Sequence, residues 1–281
     1  GHSLGAAGVF ETILCMKSVE DHTILGTRGY DEIGVSGKVM LSAEHSPTHK
    51  TGFIKMLSGF GGCNATLYAK SVESSSVSLK ERRERIPSVF RKMHHVRISP
   101  EGAWLDGRFL PVDGEPNEKS LLTTIYKKMI GDYPKYYKMD GLCRLGFIAS
   151  ELLLQAEKAE ETSIKELQRS RGVVLFNRSS SISSDKKYLA SIADKDNYFP
   201  SPSVFVYTLP NIVTGEIAIR NGYHGETSFY ILPEKNEEQM QTLIQTAFLD
   251  SQTTSLLTGW IDYEDREHYE ADMYIASINK V

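Results

Sequence analysis

The chain has 281 residues, enough to bury a sizeable core in one or two domains. Its 32 Lys and Arg stand against 36 Asp and Glu, a mildly acidic balance that points to neither nucleic acid nor an anionic membrane as a partner. No apolar run is long enough to span a bilayer, and no basic start followed by an apolar core marks a signal peptide. Cys15, Cys63 and Cys143 are odd in number and lack C-x-x-C spacing, which argues against a disulfide framework and a zinc site and implies a reducing cytoplasm. The first residue is Gly and not Met, so the sequence reads as a fragment or a processed product.

In chain order, GHSLGAAG at 1–8 reads as the tight start of a helix over roughly 3–18, with Val9, Ile13 and Met16 continuing its apolar pattern. His2 sits at the positive end of that helix. A neutral imidazole there can donate a hydrogen bond to an oxygen gaining negative charge. A frayed terminal residue is the alternative. Residues 53–58 and 64–70 alternate as strands, joined by a turn in which Gly59, Gly61 and Gly62 permit positive φ or close backbone approach.

Residues 73–92 are Ser-rich, then strongly charged, with Pro87, and read as a linker carrying a short helix at 79–85. Its ERRER run is a solvated face before it is a docking patch for an acidic partner. From 93 to 281 the pattern is that of an α/β unit: a strand in HHVRIS, a long helical region over about 117–160 with Leu142, Leu145, Ala149, Leu152 and Ala156 on one face, and the strand RGVVLFN at 171–177. A helix over 211–220, a buried strand TSFYIL at 227–232, a polar helix over 236–249 and closing strands at 255–263 and 271–278 follow. The order βαβαβαββ predicts a mixed sheet covered by helices.

Two motifs in the first part resemble the C-terminal end of the β-ketoacyl-acyl-carrier-protein synthases. Gly1 to Gly8 match the G-H-x-x-G-A-A-G motif of a catalytic histidine. Gly59 to Ala65 match a G-F-G-G-x-N-A turn, about sixty positions on as in that family. The stretch PNIVTGEIAIRNGYHGETSFYIL at 210–232 resembles the N-terminal half of the same family, where it leads into the nucleophilic cysteine; Pro210, Asn211, Gly215, Ile217, Ala218, Ile219, Arg220, Gly222 and Gly225 match. Counted without gaps, the nucleophile position falls on Glu234, after Pro233, and no cysteine lies nearby. A carboxylate is a poor substitute for a thiolate. Glu234 reads either as a loss like that of the chain-length factors, which pair with an active synthase and do not condense, or as the residue that opens a surface helix.

The resemblance implies an α/β fold of thiolase type: one βαβαβαββ half, with a partial second half. The pieces come in reversed order. Residues 1–72 are the C-terminal end of one synthase, 73–92 a linker, and 93–281 a degenerate N-terminal half of another; a gene continuing upstream would explain both. The implied protein is a β-ketoacyl synthase-like member of fatty-acid or polyketide-type biosynthesis. Its catalytic set is incomplete, since the cysteine, the second histidine and the lysine are absent, so it is inactive alone. A non-catalytic partner like a chain-length factor is the second reading, pairing through 228–232. A third is malonyl-carrier-protein decarboxylation with His2 and Glu234. Implied site residues are His2 and Glu234, with Phe60, Gly61 and Gly62 at the acyl pocket. Implied partners are an acyl carrier protein and a second synthase subunit, as a homodimer or heterodimer. No cofactor is implied, and no metal: Pro47 separates His45 from His49, and adjacent His94 and His95 would face opposite sides of a strand. Cys63 reads as a packed thiol, and SSSISS at 179–184 as a polar loop without a base.

Overall fold

A computed structural model describes residues 6–58, 64–71, 90–112, 120–158, 168–196 and 198–278, with no account of the side chains of 58, 64 and 158. The chain divides into two compact units, Gly1–Val77 and Ser78–Val281. His2, Phe60, Gly61, Gly62, Cys63 and the ERRER run lie outside the described residues.

In the first unit, α1 (Ala7–Glu20) extends two residues beyond the predicted end. It stops where the Asp21 N–H returns to the Lys17 carbonyl at 2.9 Å and His22 turns to φ 51°. Strands β1 (Thr23–Ile24) and β2 (Ser46–Pro47) form a short antiparallel pair. Strands β3 (Gly52–Ser58) and β4 (Asn64–Lys70) form the expected hairpin, in register from Gly52 opposite Lys70 to Ser58 opposite Asn64. The helix lies on β3, with Gly8 against Leu57 and Glu11 paired with Lys55. No residue of α1 is buried; Val9, Phe10, Ile13, Leu14 and Met16 are all at least 51% exposed. The apolar side chains of α1 are therefore left largely uncovered in this unit.

The second unit is built on a mixed sheet. Its strands are β5 (Arg91–Ser99), β6 (Gly102–Leu105), β7 (Arg108–Phe109), β8 (Arg171–Asn177), β9 (Thr227–Ile231), β10 (Ser255–Tyr263) and β11 (Tyr269–Ser277). Among the described residues their spatial order is β7-β6-β5-β11-β10-β8-β9. Strands β8, β9 and β10 are parallel; β11 runs against β10 and β5. The helices are α2 (Leu121–Ile125), α3 (Gly141–Lys158), α4 (Ile182–Ile192), α5 (Pro202–Val206), α6 (Ile212–Asn221) and α7 (Glu237–Ala247).

Both faces of the sheet are covered, which is why β8 and β10 read as continuous apolar runs. Val173, Leu175, Leu257, Ile261, Met273 and Ile275 join Leu145, Leu152 and Ile217 of α3 and α6 in one core. Their alternate neighbours Val174, Phe176, Leu256, Trp260, Tyr274 and Ala276 join Met240, Ile244 and Ala247 of α7 in the other. Side chains one residue apart go to opposite faces, as the pleat requires. Mid-strand Gly259 adopts φ +139°, and a Cβ there would lie 2.2 Å from the Asp272 carbonyl oxygen, so only glycine lets β10 and β11 meet.

Four expectations are corrected. The helical region over 117–160 is broken: α2 runs into a π turn at Tyr126–Ile130, ended by left-handed Gly131, and a 3-10 turn at Pro134–Lys138 precedes α3. Gly131 and Pro134 supply the break. Residues 179–184 do not form only a loop; α4 begins at Ile182, and Ser184 is buried. Strand 227–232 is a half-buried edge strand, since among the described residues no strand pairs with its outer side. The sheet begins at Arg91, within the expected linker, because Phe90 stacks on Tyr274 and packs on Phe248.

Candidate functional site

Glu234 lies exposed in the turn between β9 and α7. It does not cap the helix. Asn236 does so, its side chain accepting from the Gln239 N–H at 3.0 Å, while Glu237 and Glu238 occupy the first turn. The approach to this turn is fixed upstream. A Cβ on Gly225 would lie 2.4 Å from the Arg171 carbonyl oxygen, so glycine lets the chain pass β8 on its way into β9. Arg171 is buried and held by both Glu157 oxygens at 2.6 Å, with its Nε donating to Ser255 Oγ at 2.9 Å.

Beside Glu234, Lys235 reaches a groove of about 510 Å3 lined also by Lys92, His94, His95, Asp106, Glu237, Asp272 and Tyr274. Asp272 is held by two of the other lining residues. His95 Nε2 and Lys235 Nζ bind its two carboxylate oxygens at 2.5 and 2.7 Å. The His95 hydrogen bond, then Lys235, hold this carboxyl far below the usual carboxylate range against the opposing effect of burial. Asp106 accepts from the His95 backbone N–H at 2.7 Å and is bonded to His94 Nδ1 at 2.9 Å. Lys92 Nζ stands 4.3 Å over the Tyr274 ring, and burial pushes the Tyr274 phenol well above its ordinary value.

The two histidines were expected on opposite faces, yet both line this groove. The register slips at Tyr274/Ile275, where His95 faces Tyr274 and Met93 faces Ile275. His94 is thus the extra residue of a β-bulge at φ 32°. Asp106 reaches both through the β6–β7 turn, where Asp106 and Gly107 take φ 50° and 75°. That turn was missed in the sequence, although its Asp-Gly dipeptide is a hairpin signal.

An imidazole oriented by a carboxylate can move a proton. Among the described residues no serine, threonine or cysteine lines the groove, so it presents no hydroxyl or thiol of the Ser, Thr or Cys kind as a nucleophile. The described cysteine of this unit, Cys143, is buried in the core on the other face of the sheet, and burial pushes its thiol up. Among the described residues no group of three or more His, Cys, Asp or Glu could hold a metal ion, and no helix is long and apolar enough to cross a membrane.

A mixed sheet with helices on both faces, its edge strand turning into the helix that covers one of them, has the architecture of the ketosynthase and chain-length-factor proteins. The comparison that carries this is with "The ishigamide ketosynthase/chain length factor", at a TM-score of 0.52 and 16% identity over 68% of this chain. The match spans 62% of that chain's length, so less than two thirds of it has a counterpart here. A ketosynthase, ApeO, in complex with its chain length factor, ApeC, from Xenorhabdus doucetiae also aligns, at a TM-score of 0.45 and 11% identity over 69% of this chain and 80% of that one. No family model matches the chain, and no curated protein does.

Proposed function

We propose that this chain is a ketosynthase-like subunit of polyketide- or fatty-acid-type biosynthesis that does not condense by itself. In this reading the second unit, from Phe90 onward, is an N-terminal half of thiolase type that works as a chain-length-factor-like partner. Residues 1–72 are the C-terminal end of a synthase domain, with His2, Phe60, Gly61 and Gly62 as remnants of its site, followed by a linker that ends before Phe90. The observation that carries the proposal is the turn after β9. It presents the Glu234 carboxylate to solvent and turns the Lys235 ammonium onto Asp272, where the resemblance requires a thiol. The cysteine of this unit is sealed in the opposite core. The partner is a ketosynthase, met along β9, whose outer edge is open among the described residues. Ile231 leaves 53% of its surface exposed on that strand. An acyl carrier protein delivers the substrate in the cytoplasm.

The test incubates the chain with acyl- and malonyl-carrier proteins, with and without an active ketosynthase. The expected result is no 3-oxoacyl product from the chain alone and a changed product chain length when the ketosynthase is present. Robust condensation by the chain alone would refute the proposal, and carbon dioxide release without condensation would favour decarboxylation instead.

A further inference from the structure

A second cavity lies at the carboxyl end of β10, lined by Tyr263 and Arg266 together with the start of α3. The chain leaving β8 travels through α4, α5 and α6 to β9, away from β10; the chain leaving β10 turns back into β11, away from β8. Where successive connections diverge, an open α/β sheet leaves a crevice outside the carboxyl ends of its strands, the usual position for a ligand in such sheets. Here the crevice is stitched on one side. Ser179 N donates to Asp262 Oδ1 at 3.0 Å, and Arg178 pairs with Glu264 at 2.9 Å. Beside it opens a cavity of about 250 Å3.

Among the described residues the charges lining that cavity do not balance. Among the described residues that line it, Arg144, Lys187 and Arg266 stand with a single carboxylate, Asp140. Both Asp140 oxygens are already engaged: Oδ1 accepts from the Cys143 N–H at 2.8 Å and Oδ2 from Ser184 Oγ at 2.6 Å. Among the described residues none of the three cations belongs to an ion pair. Arg144 is held in place by donating to the carbonyls of Tyr136 and Tyr137 at 3.3 and 2.8 Å, which leaves its other N–H groups for a ligand. The Ser120 and Thr123 hydroxyls, bonded to each other at 3.0 Å, line the same wall.

We propose that this crevice binds a phosphate group, carried by a small ester or free. A phosphate monoester carries about −1.5 to −2 at neutral pH, which matches the excess of two positive charges among the described lining residues. Its oxygens suit a fixed guanidinium fork. The proposal is independent of the condensation reading, because it uses neither Glu234 nor the β9 edge.

The experiment is calorimetric titration of the full chain with glycerol 3-phosphate, inorganic phosphate and glycerol at constant ionic strength. Saturable binding of at least one phosphate compound and none of glycerol is expected; whichever of the two binds tighter identifies the source. Lys187→Gln with Arg266→Gln, both at exposed positions, should weaken binding at least about tenfold with an unchanged circular dichroism spectrum. Absence of saturable binding below about 10 mM, or equal affinity in the folded double variant, would overturn the proposal.

Discussion

Removing one member of the Glu157–Arg171 pair should cost far more than removing both. The Arg171 side chain is 1% exposed and that of Glu157 8%, and the two are joined by paired 2.6 Å hydrogen bonds. Burial alone would depress the guanidinium; its bonds to Glu157 outweigh that and raise it. Glu157→Gln keeps the shape and leaves a buried cation with no carboxylate, a change that typically costs about 3–5 kcal/mol. In a unit of this size that corresponds to a Tm lowered by roughly 10 °C. Glu157→Leu with Arg171→Met removes both charges and should stay within about 2 kcal/mol of the parent, since well-packed apolar replacements of such pairs are often neutral. Urea unfolding followed by tryptophan fluorescence is the assay. Both tryptophans of the chain, Trp104 and Trp260, belong to the second unit, so the signal reports that unit alone. A single variant within about 1 kcal/mol of the parent, or a double variant as unstable as the single, would refute the reasoning.

The other expectations concern the groove, the sheet and the buried thiol. Asp272→Asn should cost about 1–3 kcal/mol at neutral pH. The folded Asp272 carboxyl titrates below its unfolded value. Its contribution is therefore complete above about pH 4 and is lost as pH falls toward the folded value; a parent–variant difference that grew on acidification would contradict this. Gly259→Ala puts a Cβ into the Asp272 carbonyl at a φ that L residues avoid, so a loss of about 3 kcal/mol or more is expected by chemical denaturation. Cys143 should resist alkylation, followed by peptide mass spectrometry, until the second unit unfolds, whereas half-buried Cys15 should label in the native protein.

The sheet and its helices were legible because both faces are buried. A strand such as RGVVLFN, fully buried over 171–177, cannot hide its period among polar residues. The edge was less legible, since Phe229 and Tyr230 look buried until one knows that no described strand lies outside them. The break between α2 and α3 turned on Gly131 and Pro134, local signals outweighed by a long apolar pattern. The groove was invisible for a different reason. His94, Asp106, Lys235 and Asp272 come from four separate segments, and a bulge that only strand pairing reveals brings both histidines to one side. Glu234 was found by alignment to a motif, yet its neighbour Lys235 is the residue that reaches into the groove.

The central claim, a non-condensing subunit that pairs through β9, is tested most directly by sedimentation of the chain with an active ketosynthase. The account predicts a stable complex for the parent chain and its loss in Ile231→Asp, which sets a charge on the exposed edge while the variant keeps the parent's unfolding midpoint. A chain that stays strictly monomeric, alone and in the presence of the ketosynthase, would contradict it.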